Sequence, residues 1–353
     1  MHAQVESTLA DFLATQIATL DAVDPALGAF ARTGRDLVLG GGKRLRPTFA
    51  YWGWRGVADP AEPHEPLEPI VPALAALELM HTFALVHDDV MDESATRRGA
   101  PTAHRIFAAR HDHDQGRGDA VKFGETSAIL LGDLCLVWAD QLMARAALSP
   151  ATLFAVRGRY DRMRVETVAG QYLDVLGETR PDDWSLERAL LVARYKTAKY
   201  TVQRPLQFGL TLAGADSRSD TDAAYARYGS RVGEAFQLRD DLLSVYGDPM
   251  VTGKPTGDDL RTGKPTALLM LARRFATPAQ LAELAPDRTL AADGARIERM
   301  ASVIQETGAP ERVEALIRRR VDEGLAALQE APIHPDACDA LTHLAVAATN
   351  RPA

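Results

Sequence analysis

Apolar residues recur at helical spacing along most of the chain. Residues 70–87, IVPALAALELMHTFALVH, form one long apolar run without glycine, and its length favours a buried helix over a strand. The same rhythm predicts helices over 126–147, 150–176, 185–213, 222–246, 264–275 and 311–329. No stretch alternates in the manner of a half-buried strand, and no internal repeat stands out. The breaks are DPAEPHEPLEP at 59–69, HDHDQGRGD at 111–119 and GADSRSDTD at 214–222, all turn-forming in composition. GETRPDDW at 177–184 ends one helix and prepares the next, with Asp183 or Ser185 as N-cap. Residues 247–266, GDPMVTGKPTGDDLRTGKPT, carry four glycines and three prolines and read as a long mobile loop of the kind that usually serves function. None of these breaks resembles a domain linker. The expectation is an all-α fold, a single domain over residues 1–353.

Composition sharpens this picture. With 353 residues and 46% apolar content, the chain can bury a sizeable core. Alanine and leucine are abundant while aromatics are only 6%, which leans helical. A net charge of −8 argues against nucleic acid as the main partner, so any anionic ligand has to be held by local basic clusters. Two distant cysteines, Cys135 and Cys338, make neither a disulfide framework nor a zinc site and fit a reducing compartment. The first residues, MHAQVESTLADFLATQ, include acids and lack the apolar core of a signal peptide. No uncharged apolar run approaches the ~18 residues of a membrane span. These features read as a soluble, cytoplasmic protein with no integral membrane segment.

The chemistry gathers where the apolar runs end. Asp88, Asp89 and Asp92 close the run at 70–87. At about 100° per residue, Asp88 and Asp92 share a face and Asp89 lies one step aside. Carboxylates this close repel one another unless cations neutralise them, and hard oxygen donors suit magnesium bridged to phosphate. A solvated helix end is the plain alternative, but acids at a helix C-terminus oppose its dipole. Arg97 and Arg98 follow at once, and guanidinium forks match phosphate oxygens. The segment FQLRDDLLSVYGD at 236–248 repeats the theme: Gln237, Asp240, Asp241 and Ser244 can face one cavity, with Asp248 beyond. Two such acidic sites can clamp one diphosphate between metal ions.

Basic and polar groups complete the set. In GGGKRLRP, at 40–47, glycines allow close backbone approach and Lys43 and Arg46 share a helix face. His81 lies two turns before Asp88 on the same side, where a satisfied core histidine is the alternative to a phosphate donor. Lys196 and Thr197 fall within a packable segment, Lys254 and Lys264 in the 247–266 loop, and any one of these lysines could be plain surface charge. Gln171 and Asp174 in GQYLDV sit on an apolar helix, where buried polar groups need partners.

Together these segments resemble the trans-isoprenyl diphosphate synthases, the polyprenyl synthetases, over about residues 35–270. The matching motifs are Gly41, Gly42, Lys43 and Arg46; Asp88, Asp89 and Asp92 with Arg97, Arg98 and Gly99; Gly170, Gln171, Leu173 and Asp174; Lys196 and Thr197; Phe236, Gln237, Asp240 and Asp241; and Gly247, Asp248, Pro249, Thr252, Gly253 and Lys254. The resemblance implies the isoprenoid synthase fold, a helical bundle around a deep cavity, usually as a homodimer. It implies a transferase that joins isopentenyl diphosphate to an allylic diphosphate. Three magnesium ions would be held by Asp88, Asp89, Asp92, Asp240 and Asp241. Arg97, Lys196 and Lys254 would hold the allylic diphosphate; Lys43, Arg46, His81 and Arg98 would hold isopentenyl diphosphate. Thr197, Gln237 and Lys264 are further substrate contacts on this reading.

One position departs from the family pattern. Ser244 stands where the second motif carries its third aspartate. The resulting spacing also resembles the metal motif of class I terpene cyclases, which share the fold, so a cyclase and a non-catalytic partner subunit are the alternatives. The paired diphosphate motifs argue against the first, and the intact first aspartate motif against the second. The family likeness further implies a short product, twenty carbons first and fifteen next, with Phe83 and Ala84, just before Asp88, setting the depth of the cavity.

Overall fold

The computed structural model describes residues 1–57, 66–215, 219–248, 257–285 and 294–350. In chain order the helices are α1 (His2–Asp21), α2 (Pro25–Leu39), α3 (Leu45–Arg55), α4 (Val71–Met91), α5 (Ala103–His113), α6 (Ala120–Met143), α7 (Pro150–Thr179), α8 (Leu186–Val192), α9 (Arg204–Leu212) and α10 (Asp220–Tyr246). They continue with α11 (Asp258–Thr262), α12 (Ala267–Phe275), α13 (Pro278–Glu283), α14 (Gly294–Glu306), α15 (Ala309–Gln329) and α16 (Pro335–Thr349). The apolar run becomes α4, whose Ala73, Leu74, Ala75, Ala76, Leu77, Leu79 and Met80 are fully enclosed. That helix packs most extensively on α6 and also meets α1, α3 and α5. On the far side, α10 packs against α15 and, through its inner face, against the segment that follows α8. Among the described residues no helix is long and apolar enough to cross a membrane.

Three local features refine the sequence reading. The run at 185–213 is not one uniform helix: between α8 and α9, residues Ala193–Gln203 form a π-helix, an i→i+5 winding often found at functional sites. Pro205 lies two residues beyond it and supplies no N–H to the preceding turn. Second, the only strands among the described residues, β1 (Thr96–Arg97) and β2 (Ala100–Pro101), pair Thr96 with Pro101 and Arg97 with Ala100. Arg98 and Gly99 form the two-residue loop at φ 54° and 75°, the positive-φ pair of a type I′ hairpin. Third, the stretch read as loop at 247–266 contains α11, bracketed by Gly257 and Gly263, both left-handed. Of the two N-cap candidates Ser185 is the cap, accepting from the Arg188 N–H at 3.3 Å.

The π-helix lies against α7 and α10, and glycines make that approach possible. A Cβ on Gly170 would sit 2.3 Å from the Lys196 nitrogen, and one on Gly233 2.4 Å from the Ala198 Cα. Both contacts are with backbone, which cannot swing aside. Gly170→Ala is therefore expected to destabilise the fold by about 1–3 kcal/mol, the usual cost of overpacking, and to displace Lys196. A urea midpoint equal to wild type would show that the π-helix yields without cost.

Candidate active site

A cavity of about 1150 Å³ opens between α3, α4, α7, the π-helix and α10. Helix α4 turns His81, Ala84, Leu85, Asp88 and Asp92 into it, the three-and-four spacing of one helical face. Across from them α10 presents Gln237, Asp240, Asp241 and Ser244. The two acidic motifs thus face each other over one space.

The α4 carboxylates are held from several directions. Lys196, on the π-helix, donates to Asp88 Oδ1 at 2.8 Å and to Asp174 Oδ2 at 2.6 Å. Lys264 reaches the same Asp174 oxygen at 2.7 Å and lies 3.7 Å from Asp92 and 3.6 Å from Glu178. Arg97 donates through Nε to Asp89 at 2.7 Å and through Nη2 to Asp88 at 3.3 Å. The Gln171 amide adds a bond to Asp88 at 3.0 Å. Burial alone would raise Asp88, but Lys196, Lys264 and Arg97 outweigh it and hold the carboxyl well below its ordinary range. Asp174 is lowered against its burial by the two lysines. Asp92 shifts the other way, raised by burial and then by Asp88, and burial also raises Glu178. Among the described residues, Asp88, Asp89, Asp92, Asp174 and Glu178 thus gather around Lys196, Lys264 and Arg97.

The second cluster is tied to its neighbours by neutral groups as well. Gln237 donates to Asp241 Oδ1 at 2.9 Å and accepts from the Thr197 hydroxyl at 2.5 Å, which ties α10 to the π-helix. The Ala267 N–H meets Asp241 Oδ2 at 3.3 Å. Burial pushes Asp241 up to about 7; the Gln237 bond opposes the shift, while Asp259 and Asp240 add to it.

The glycine turn reaches the same cavity and meets the hairpin that carries Arg97 and Arg98. Gly41 and Gly42 adopt φ 91° and 143°, a region open to glycine, and Lys43 and Arg46 line the wall beyond. The Arg46 guanidinium stacks 3.9 Å over the Tyr200 ring and donates to Thr201 at 2.9 Å. Tyr200 also shares a 2.5 Å hydrogen bond with His81 Nδ1. Burial, then Arg46 and its neighbours, depress His81 well below its ordinary value, so its ring is neutral at physiological pH. Arg98, at the hairpin tip, donates to the Gly41 carbonyl.

Most sequence candidates converge on this cavity: Lys43, Arg46, His81, Ala84, Asp88, Asp92, Arg97, Arg98, Lys196, Thr197, Gln237, Asp240, Asp241 and Lys264 all line it. Asp89 joins through Arg97. Lys254 lies outside the described residues. Phe83 is not among the lining residues; it sits on the α4 face turned from the cavity, edge-on to His87 at 4.9 Å. Asp174 proves to be the shared acceptor of two lysines. Glu178 and Tyr200 carried no sequence signal, because each reaches the cavity by tertiary placement; for Asp259 the only hint was the acidic pair at 258–259 inside a glycine-rich stretch.

Opposed acidic clusters beside separate groups of basic side chains define a helical enzyme cavity for phosphorylated ligands. Residues 29–306 match the family model for polyprenyl synthetase. The chain is 31% identical over 301 residues to geranylfarnesyl diphosphate synthase of Aeropyrum pernix, covering 84% of this chain and 86% of that one. It is 34% identical over 264 residues to geranylgeranyl diphosphate synthase of Mycobacterium tuberculosis, covering 74% and 69%. A crystal structure of geranylgeranyl pyrophosphate synthase from Corynebacterium glutamicum, complexed with isoprenyl diphosphate and magnesium, superposes with a TM-score of 0.93 at 38% identity, over 99% of this chain and 98% of that one. The chain belongs to the polyprenyl synthetase family; it is a prenyltransferase with the all-α isoprenoid synthase fold.

The raised Asp241 has a pH signature. Its folded carboxyl titrates near 7, whereas an unfolded aspartate titrates near 3.9. The group therefore favours the folded state fully below about pH 4, and that contribution is lost as pH rises through 7. In the presence of a chelator, Asp241→Asn is expected to raise the melting temperature at pH 8 and leave it nearly unchanged at pH 5. An equal effect at both values would show that Asp241 is not charged at a cost.

Proposed function

We propose that this enzyme condenses isopentenyl diphosphate with an allylic diphosphate, head to tail and trans, to a short-chain prenyl diphosphate. Twenty carbons is the favoured product length and fifteen the next. The supporting observation is that two carboxylate clusters face each other across one cavity while a distinct basic group, Lys43, Arg46 and Arg98, lines the same cavity. One diphosphate between the clusters and a second at the basic group is the simplest occupancy, and it requires two substrates.

The residues fit magnesium. Among the described residues no three acidic, histidine or cysteine side chains gather closely enough to cage a cation alone, and magnesium characteristically takes one or two carboxylates, waters and substrate phosphates. The raised Asp92 and Asp241 mark a demand for positive charge on both sides. Asp88, Asp89 and Asp92 with Asp240 and Asp241 would hold it, as three ions. When bound, magnesium supplies charge neutralisation for the departing diphosphate.

The remaining work falls to the side chains. Lys196, Lys264 and Arg97 exchange carboxylate partners for phosphate oxygens as the allylic substrate binds. Lys43, Arg46 and Arg98 orient isopentenyl diphosphate, and neutral His81 adds a hydrogen bond without adding charge. The allylic C–O bond breaks, the double bond of isopentenyl diphosphate forms the new C–C bond, and a proton leaves for the released diphosphate. The apolar walls at Ala84 and Leu85 exclude water from the cation. A homodimer in the cytoplasm is the expected setting.

The deciding assay incubates the protein with magnesium, each short allylic diphosphate, and either isopentenyl diphosphate or none, and reads product length. Elongation only with both substrates is expected; allylic consumption alone would instead indicate a cyclase. Asp88→Ala should abolish turnover by at least about a hundredfold, the scale for removing charge stabilisation at a transition state. Because Ala84 lines the cavity below the first cluster, Ala84→Phe should shorten the product by at least one five-carbon unit. An unchanged product from an active Ala84→Phe enzyme would place the growing chain elsewhere.

A further inference from the structure

Glu78 lies inside the apolar stretch of α4, 3% exposed, between the enclosed Leu77 and Leu79. A carboxylate in such surroundings is costly unless it is paired. Its Oε2 accepts from Arg44 Nη1 at 2.7 Å. The same guanidinium donates to Glu6 of α1 at 2.6 Å and to the Val38 carbonyl at the end of α2 at 2.8 Å. Arg44 therefore ties three helices together from inside the protein, and it is itself only 6% exposed.

The backbone of Arg44 is as constrained as its side chain. It is the N-cap of α3 in the left-handed region, at φ 46° and ψ 41°, which a residue with a Cβ adopts only when its surroundings hold it there. Lys43 precedes it, and Arg46 lies on the first turn of the helix that it starts. The Gly41 carbonyl, three residues upstream, accepts from Arg98. The three cations of the basic group are thus linked to one anchor: Lys43 and Arg46 through the chain, Arg98 through the turn.

We propose that Glu78 is a positioning residue for the isopentenyl diphosphate subsite: it acts through Arg44 to set the glycine turn, and so the placement of Lys43, Arg46 and Arg98. The pair touches neither acidic cluster, since Glu78 lies nearly three turns of α4 away from Asp88. Its loss acts on one substrate and spares the other. The proposal rests on the reading of the basic group as that subsite.

Steady-state kinetics on the full-length enzyme test it, with each substrate varied at saturation of the other. Glu78→Gln keeps the shape and removes the charge. It is expected to raise KM for isopentenyl diphosphate roughly tenfold, about 1.4 kcal/mol, and to leave KM for the allylic diphosphate within about twofold. The double variant Glu78→Leu with Arg44→Leu removes both charges, so no buried charge is left unpaired. It should fold, by circular dichroism and melting temperature, and still show the raised KM. Arg46→Ala, measured alongside, reports on the subsite itself. If Arg46→Ala raises KM for isopentenyl diphosphate while both Glu78 variants leave it unchanged, the positioning role is overturned and the subsite stands. If Arg46→Ala also has no effect, the subsite reading fails and takes the proposal with it. Equal damage to the use of both substrates would mark a general structural role and overturn the proposal as well.

Discussion

Lys196 and Lys264 reach one oxygen of Asp174, at 2.6 and 2.7 Å, from two different elements. Around that point α7, the π-helix and the segment before α12 come together, and through Lys196 and Asp88 so does α4. Carboxylates surround these half-buried lysines: burial pulls Lys264 down, and Asp174, Asp92 and their neighbours more than restore it, lifting it well above its ordinary value. The carboxylates are bound by the converse need. Each set offsets the cost of placing the other in the cavity wall, so the network helps to set the shape of the cavity alongside apolar packing. The glycines at 170 and 233 serve it by letting the π-helix, which carries Lys196, come into backbone contact with its neighbours.

The same network is the working part of the proposed reaction. Cations that hold carboxylates in the fold shown here are the ones that would hold phosphate oxygens during turnover, and carboxylates so released are the ones that would hold magnesium. The protein thereby carries internal stand-ins for both halves of its ligand. The asymmetry between the clusters follows. Asp88 has ample cationic company and is held low, whereas Asp241, with Asp240 and Asp259 beside it, is held high.

Much of this was legible in the chain itself. The apolar run at 70–87 announced α4, and its terminal aspartates announced the first cluster, because helical spacing alone puts Asp88 and Asp92 on one face. The helix continues to Met91, beyond the apolar run, since Arg97 and Lys196 supply the charge that its acidic end lacks. What could not be read was convergence. Asp174 looked like one of two polar residues seeking a partner, and only the fold shows that it serves two lysines. Asp259 reaches the second cluster from a five-residue helix inside a stretch read as loop. The π-helix has no distinct sequence pattern; it ends two residues before Pro205, and Gly170 and Gly233 leave room for its backbone. Phe83 was expected, with Ala84, to set the cavity depth. Its azimuth, shared with His87, instead carries it to the opposite face, and Ala84 and Leu85 meet the cavity.

If internal lysines and arginine neutralise the first acidic cluster until diphosphate takes them over, the two ligands are mutually dependent. Calorimetric titration of magnesium into the enzyme, with and without an unreactive allylic thiolodiphosphate, measures that dependence directly. The analogue is expected to strengthen magnesium binding at least about tenfold, within the usual range of coupling between sites, and magnesium to strengthen analogue binding by the same factor. Equal magnesium affinity in the two titrations would show that the carboxylates bind metal without help from the lysine exchange, and would contradict it.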